Sequence, residues 1–192
     1  MQRVGVLGGT FNPIHIGHLA IANYMLEFTE LEQLWFVLSP QNPLKEKKSL
    51  LADYHRLELT RRAVDNEDRF RITDIEFKMP KPSYTIDTLT YLCEKNPGHD
   101  FQLIMGSDGL KNFHQWKNSQ QIQEKFHRLV YPRPGIESIE LSRHTNISLI
   151  EAPMIEISSS FIRKSIKEGK DVRYFLPELT YQYIKEMHFY EQ

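Results

Sequence analysis

Short apolar runs alternate with helical periodicities along this chain, and that alternation most narrows what it can fold into. Val4-Gly-Val-Leu7 reads as a buried strand ending in glycines, and Leu34-Trp-Phe-Val-Leu38 is a continuous apolar run of the kind covered on both faces of a sheet. Phe70-Arg-Ile72, Phe101-Gln-Leu-Ile-Met105, Arg128-Leu-Val-Tyr131 and Ile147-Ser-Leu-Ile150 read as further strands. Between them Leu19, Ala22, Met25 and Leu26 recur at helical spacing, which predicts a helix from about Gly17 to Phe28. Asp53 can cap a helix through about Val64, with Leu57, Leu59 and Ala63 facing inward, and Ser83 or Thr85 starts one through Cys93. Short helices are expected near 109–113 and 120–124. Ser158 or Ser159 can cap another to about Lys167, and Glu178 to Met187 makes a last amphipathic helix. The expected fold is α/β: a Rossmann-like, doubly wound, mostly parallel sheet with helices on both faces and a small helical portion at the end. No linker or repeat divides the 192 residues, so one domain over 1–192 is expected.

Composition limits the function classes. With 24 Lys and Arg against 25 Asp and Glu, the formal net charge of −1 makes no global case for a nucleic-acid or anionic-membrane partner. Any anion site must be local. Cys93 is the one cysteine, so no intrachain disulfide can form. The first residues lack the apolar centre of a secretory signal, and nothing later approaches the roughly 18 apolar residues of a membrane span. These features give the expectation of a cytoplasmic protein.

Ligands of such sheets bind beyond the carboxyl ends of the strands, and the stretch GGTFNPIHIGH, residues 8–18, lies there. Gly8 and Gly9 would let the chain turn and expose its amides to a ligand. The spacing is neither G-x-G-x-x-G nor a P-loop. What remains is a glycine turn, the Thr10 hydroxyl, and His15 and His18 on one side of a first helical turn. Gly17 between them removes bulk where a ligand could pass. Two imidazoles with helix-terminal amides suit phosphate. Two other readings stand beside this one: a zinc site, which lacks further ligands at a suitable spacing, and two structural histidines on a turn.

GGTFNPIHIGH resembles the T/HxGH signature of the nucleotidylyltransferase superfamily, and Ile157-Ser-Ser-Ser-Phe-Ile-Arg163 resembles its second, I-S-S-T-x-I-R. Between them SPQNPLK (39–45), PSYTIDTL (82–89), GSDGLKNFHQW (106–116) and YPRPG (131–135) are similar to the nicotinate mononucleotide adenylyltransferases, as is the ending VRYFLPELTYQYIKEMHFY. The resemblance implies transfer of the AMP part of ATP to nicotinate mononucleotide in NAD biosynthesis, giving deamido-NAD and pyrophosphate by in-line attack with no covalent enzyme intermediate. It implies an ATP site of Gly8, Gly9, Thr10, Phe11, His15, His18, Lys45, Gly106, Asp108, Arg133, Ser158, Ser159 and Arg163. Of these, His15, His18, Lys45 and Arg163 would carry the chemistry. Thr10, Tyr84, Thr85 and Trp116 would hold the mononucleotide, with the pyridine stacked on Trp116. Mg²⁺ would arrive mainly on the ATP phosphates, with no metal ligand assigned to the chain. A homo-oligomer is left open. Other acceptors (nicotinamide mononucleotide, phosphopantetheine) and a nucleotide-binding regulator without catalysis are the alternatives. Two departures stand out: Asn12 where the family often has aspartate, and Ser160 for the usual threonine.

Overall fold

A computed structural model describes residues 1–40, 50–134 and 145–191. Six strands form one parallel sheet: β1 (Gln2–Gly9), β2 (Gln33–Leu38), β3 (Phe70–Thr73), β4 (His99–Gly106), β5 (Arg128–Tyr131) and β6 (Ile147–Leu149). Their spatial order is β3-β2-β1-β4-β5-β6, so the direction of winding reverses between β1 and β4. Those two strands pair with Leu7 opposite Ile104, which brings the glycine-bearing ends Gly8-Gly9 and Gly106 out side by side.

Alternation along each strand divides the core. Leu7, Leu34, Phe36 and Leu129 face α1 (Ile16–Phe28) through Ile21, Ala22 and Met25. Val4, Val6, Leu103 and Met105 face the other way, onto α3 (Thr85–Lys95) through Ile86, Leu89 and Leu92. On that second face α4 (Ser107–Lys111) and α5 (Ser119–Lys125) complete the cover. A third apolar cluster joins α2 (Asp53–Val64), α6 (Ser159–Lys167) and α7 (Glu178–Glu186) through Leu59, Ile162, Ile166 and Ile184.

Two local expectations are corrected. β1 runs two residues past Leu7, so Gly8 and Gly9 are strand residues, and neither takes a left-handed φ. The turn is made by Phe11, at φ +44, whose ring is buried against Phe36 and His18. Ala52, not Asp53, precedes α2; Asp53 pairs instead with Arg56. Leu57, Leu59 and Ala63 of α2 pack inward as expected, and Arg56 and Thr60 are fully buried beside them. Among the described residues no helix is long and apolar enough to cross a membrane.

Candidate active site

The corner after β1 is held in place by groups from three other parts of the chain. Arg56 donates through Nη1 to the carbonyls of Thr10 (2.6 Å) and Ser39 (2.8 Å), and through Nε to that of Leu51 (3.1 Å). Six residues after Thr10, α1 begins at Ile16, directly after His15. The backbone N–H of His15 donates to His18 Nδ1 at 3.2 Å, and the two imidazoles stack with centroids 3.8 Å apart. Accepting at Nδ1 leaves the proton of a neutral His18 on Nε2, so that edge of the ring is a donor. His15 lies beneath, 4% exposed, and its Nδ1 is buried without a hydrogen-bond partner among the described residues. Burial, with the Arg133 cation nearby, holds His15 down at about 4, so it is neutral at working pH.

The glycines divide by what a side chain would meet. A Cβ on Gly8 would meet nothing within 4 Å among the described residues, and Gly8 is exposed, so its edge is available to a ligand. A Cβ on Gly9 would press on the Phe11 ring at 3.0 Å. At Gly17 it would press on the His15 ring at 3.0 Å and on Ile155 at 3.4 Å. Gly17 thus makes room for the stacked imidazole, and it also lines the concavity beside the two histidines. Gly106 likewise makes room for Asp108 and Arg133, which a Cβ there would meet at 2.3 and 3.0 Å.

The 158–163 segment docks directly on the corner. Ser158 caps α6 by accepting from the Phe161 N–H at 3.1 Å. Ser159 Oγ donates to the Pro13 carbonyl at 2.9 Å, and Arg163 Nη1 donates to the Asn12 carbonyl at 2.8 Å. Arg163 Nη2 reaches Ser160 Oγ at 3.2 Å. Burial pushes the Arg163 guanidinium down from its usual value, but arginine remains a cation in proteins. Asn12 is 4% exposed, and its Oδ1 accepts from Tyr190 Oη (2.8 Å) and from the Leu51 N–H (3.3 Å). It serves as an internal joint.

Across the β1–β4 boundary, Asp108 is exposed at the start of α4, with Oδ1 3.9 Å from Arg133 Nε. Arg133 also lies over the Tyr131 ring and donates to its hydroxyl at 3.0 Å. His15, His18, Tyr131, Arg133, Ile155 and Ile157 line one concavity. Tyr84 is the residue before α3 and Thr85 its first residue, as expected. Trp116 is half-buried against Phe113, 5.5 Å between centroids, and the next residue ties it to α3. Lys117 Nζ lies 4.6 Å from the Tyr84 ring centre and 2.8 Å from Asp87 Oδ2. Lys45 falls outside the described residues. Sequence reasoning missed Arg56, Lys117 and Tyr190. An arginine within a helix and an aromatic near the end of a chain carry no local signal of what they touch.

The cytidylyltransferase-like family model matches residues 6–165. The chain is 50% identical over 192 residues to a protein of Christiangramia forsetii, covering 99% of each, and 48% identical over 193 residues to one of Flavobacterium johnsoniae, covering 100% of each. Both carry the name "Probable nicotinate-nucleotide adenylyltransferase". Among solved structures, Plasmodium falciparum nicotinic acid mononucleotide adenylyltransferase complexed with NaAD shares the fold, with a TM-score of 0.84 at 21% identity, over 100% of this chain and 98% of that one.

Proposed function

The chain belongs to the cytidylyltransferase-like family and, within it, to the nicotinate-nucleotide adenylyltransferases, and from that premise we propose how its residues divide the work. The enzyme transfers the adenylyl group of ATP to nicotinate mononucleotide, yielding deamido-NAD and pyrophosphate. A mononucleotide 5′-phosphate oxygen forms the new bond to the α-phosphorus as the bond to the β-phosphate bridging oxygen breaks. No protein nucleophile takes part, so catalysis is positioning and charge stabilisation.

One observation carries this reading: the Ser158–Arg163 segment is hydrogen-bonded to the Asn12-Pro13 backbone beside the stacked His15 and His18. A triphosphate laid along the open edge of Gly8, near Gly9, Thr10 and Phe11, would meet donors at both ends. His18 Nε2–H faces the α-phosphate, where negative charge grows. Neutral His15 supports that ring from below. The Ser158 hydroxyl, the Ser159 backbone N–H and the remaining Arg163 N–H groups take the β- and γ-phosphates, with Lys45 as a further cation. The concavity between the histidines, Arg133 and the isoleucines suits adenine, Asp108 the ribose hydroxyls, and Gly106 the close approach between them. The α3 amino end at Tyr84 and Thr85 suits the nicotinate carboxylate, with Lys117 adding positive charge and Trp116 stacking on the pyridine. Magnesium enters as MgATP, neutralising phosphate charge.

The test is magnesium-dependent pyrophosphate release. It should require both ATP and nicotinate mononucleotide, stop on chelation and return with added Mg²⁺. His18→Ala should lower kcat at least ~100-fold with the fold intact. Absence of release with every pyridine mononucleotide would sink the reading.

A further inference from the structure

The corner that cradles the triphosphate in the reading above is conformationally costly. Phe11 sits at φ +44, a left-handed conformation that a non-glycine residue keeps only where the surroundings hold it. Arg56 holds the Thr10 carbonyl, Arg163 the Asn12 carbonyl and Ser159 the Pro13 carbonyl. A further hold comes from the segment after α7, 178 residues away in sequence: the Tyr190 hydroxyl donates to Asn12 Oδ1 at 2.8 Å, beside the longer bond from the Leu51 N–H at 3.3 Å. Asn12 is buried, so its amide oxygen cannot exchange this donor for bulk water. Phe189, buried in the third apolar cluster, anchors the segment that brings the hydroxyl there. Desolvation pushes the Tyr190 phenol above its ordinary value, which keeps it protonated and a donor.

We propose that Tyr190 is a positioning residue for adenylyl transfer, whose hydroxyl holds the Phe11–His15 corner and the Arg163 fork in the arrangement MgATP requires, acting through Asn12. It touches neither substrate nor reacting atoms. Asn12 is the joint where both pulls meet, the Tyr190 hydroxyl on its side chain and Arg163 on its carbonyl.

Tyr190→Phe removes the hydroxyl and keeps the ring. Measured by calorimetry, its MgATP affinity should fall about tenfold, and kcat/KM for ATP should fall with it. The KM for nicotinate mononucleotide should stay within about twofold, and Tm should move by no more than about 3 °C. Asn12→Ala should weaken ATP binding similarly, and the double variant should be no worse than Asn12→Ala alone, since both cut one path. Unchanged ATP affinity in Tyr190→Phe, additive losses, or a lowered Tm with intact ATP affinity would each overturn the proposal. Because affinity is read without turnover, a wild type that binds ATP but transfers nothing to any pyridine mononucleotide refutes the proposed function while leaving this inference to be judged on affinity. A wild type that binds no ATP refutes both.

Discussion

His15 and His18 stand three residues apart and do different work because their surroundings differ. His18 is half-exposed and receives its orienting hydrogen bond from the His15 backbone, whereas the His15 ring is buried under it. Two imidazolium rings 3.8 Å apart would repel, and burial settles the matter by keeping His15 neutral. That has a consequence for stability. With its folded pKa near 4 against an ordinary 6.5, the unfolded chain takes up the proton first as pH falls. The stability due to neutral His15 is therefore complete above about pH 6.5 and declines between 6.5 and 4, by at most about 3 kcal/mol. Urea unfolding from pH 7 to 4 should show this decline, and His15→Asn should flatten it. Gly8 makes the opposite kind of prediction. Its missing side chain leaves space that no atom of the described residues fills, so Gly8→Ala should move Tm by less than about 3 °C while raising the KM for ATP about tenfold. A large loss of stability with unchanged KM would remove Gly8 from the ligand-facing edge.

At the level of elements, α6 combines two functions that mutation should separate. Its cap is local: the Ser158 hydroxyl satisfies a free N–H of the first turn. Its docking is long-range, through Ser159 and Arg163 to the corner. Ser158→Ala should cost about 1 kcal/mol in denaturant unfolding. If the hydroxyl also meets phosphate, its kcat/KM for ATP should drop several-fold. Arg163→Lys keeps the charge but loses the planar fork, so it can no longer hold the Asn12 carbonyl and phosphate together. The expected result is at least a tenfold loss in kcat/KM for ATP at nearly unchanged Tm. Full activity in Arg163→Lys would show that a point charge suffices there. The strand ends matter equally: β1 and β4 carry Gly8-Gly9 and Gly106 out next to each other only because their register sets Leu7 against Ile104.

Across the whole molecule, Arg56 ties α2 to the loops after β1 and β2 from a fully buried position, and its removal should be felt as lost stability. Arg56→Met keeps the volume but strands the carbonyls of Thr10, Ser39 and Leu51, so unfolding should cost about 3–5 kcal/mol less than in the wild type. A denaturant midpoint equal to wild type would contradict the bracket. The strands, most helices, the position of the corner at a strand end and the pairing of its histidines with Ser158–Arg163 were legible in the sequence. Each is written in local periodicity or in a motif, and parallel strands joined by helices leave few arrangements open. Other features became visible only in three dimensions. Phe11 rather than a glycine makes the turn, Gly17 leaves room for the His15 ring, and α2 buries an arginine beside the corner. Tyr190 reaches Asn12 across nearly the whole chain. Periodicity reports which way a residue faces within its own element. It is silent about which distant carbonyl or amide will lie opposite, because that depends on how elements pack once the buried polar groups of the corner must all find partners.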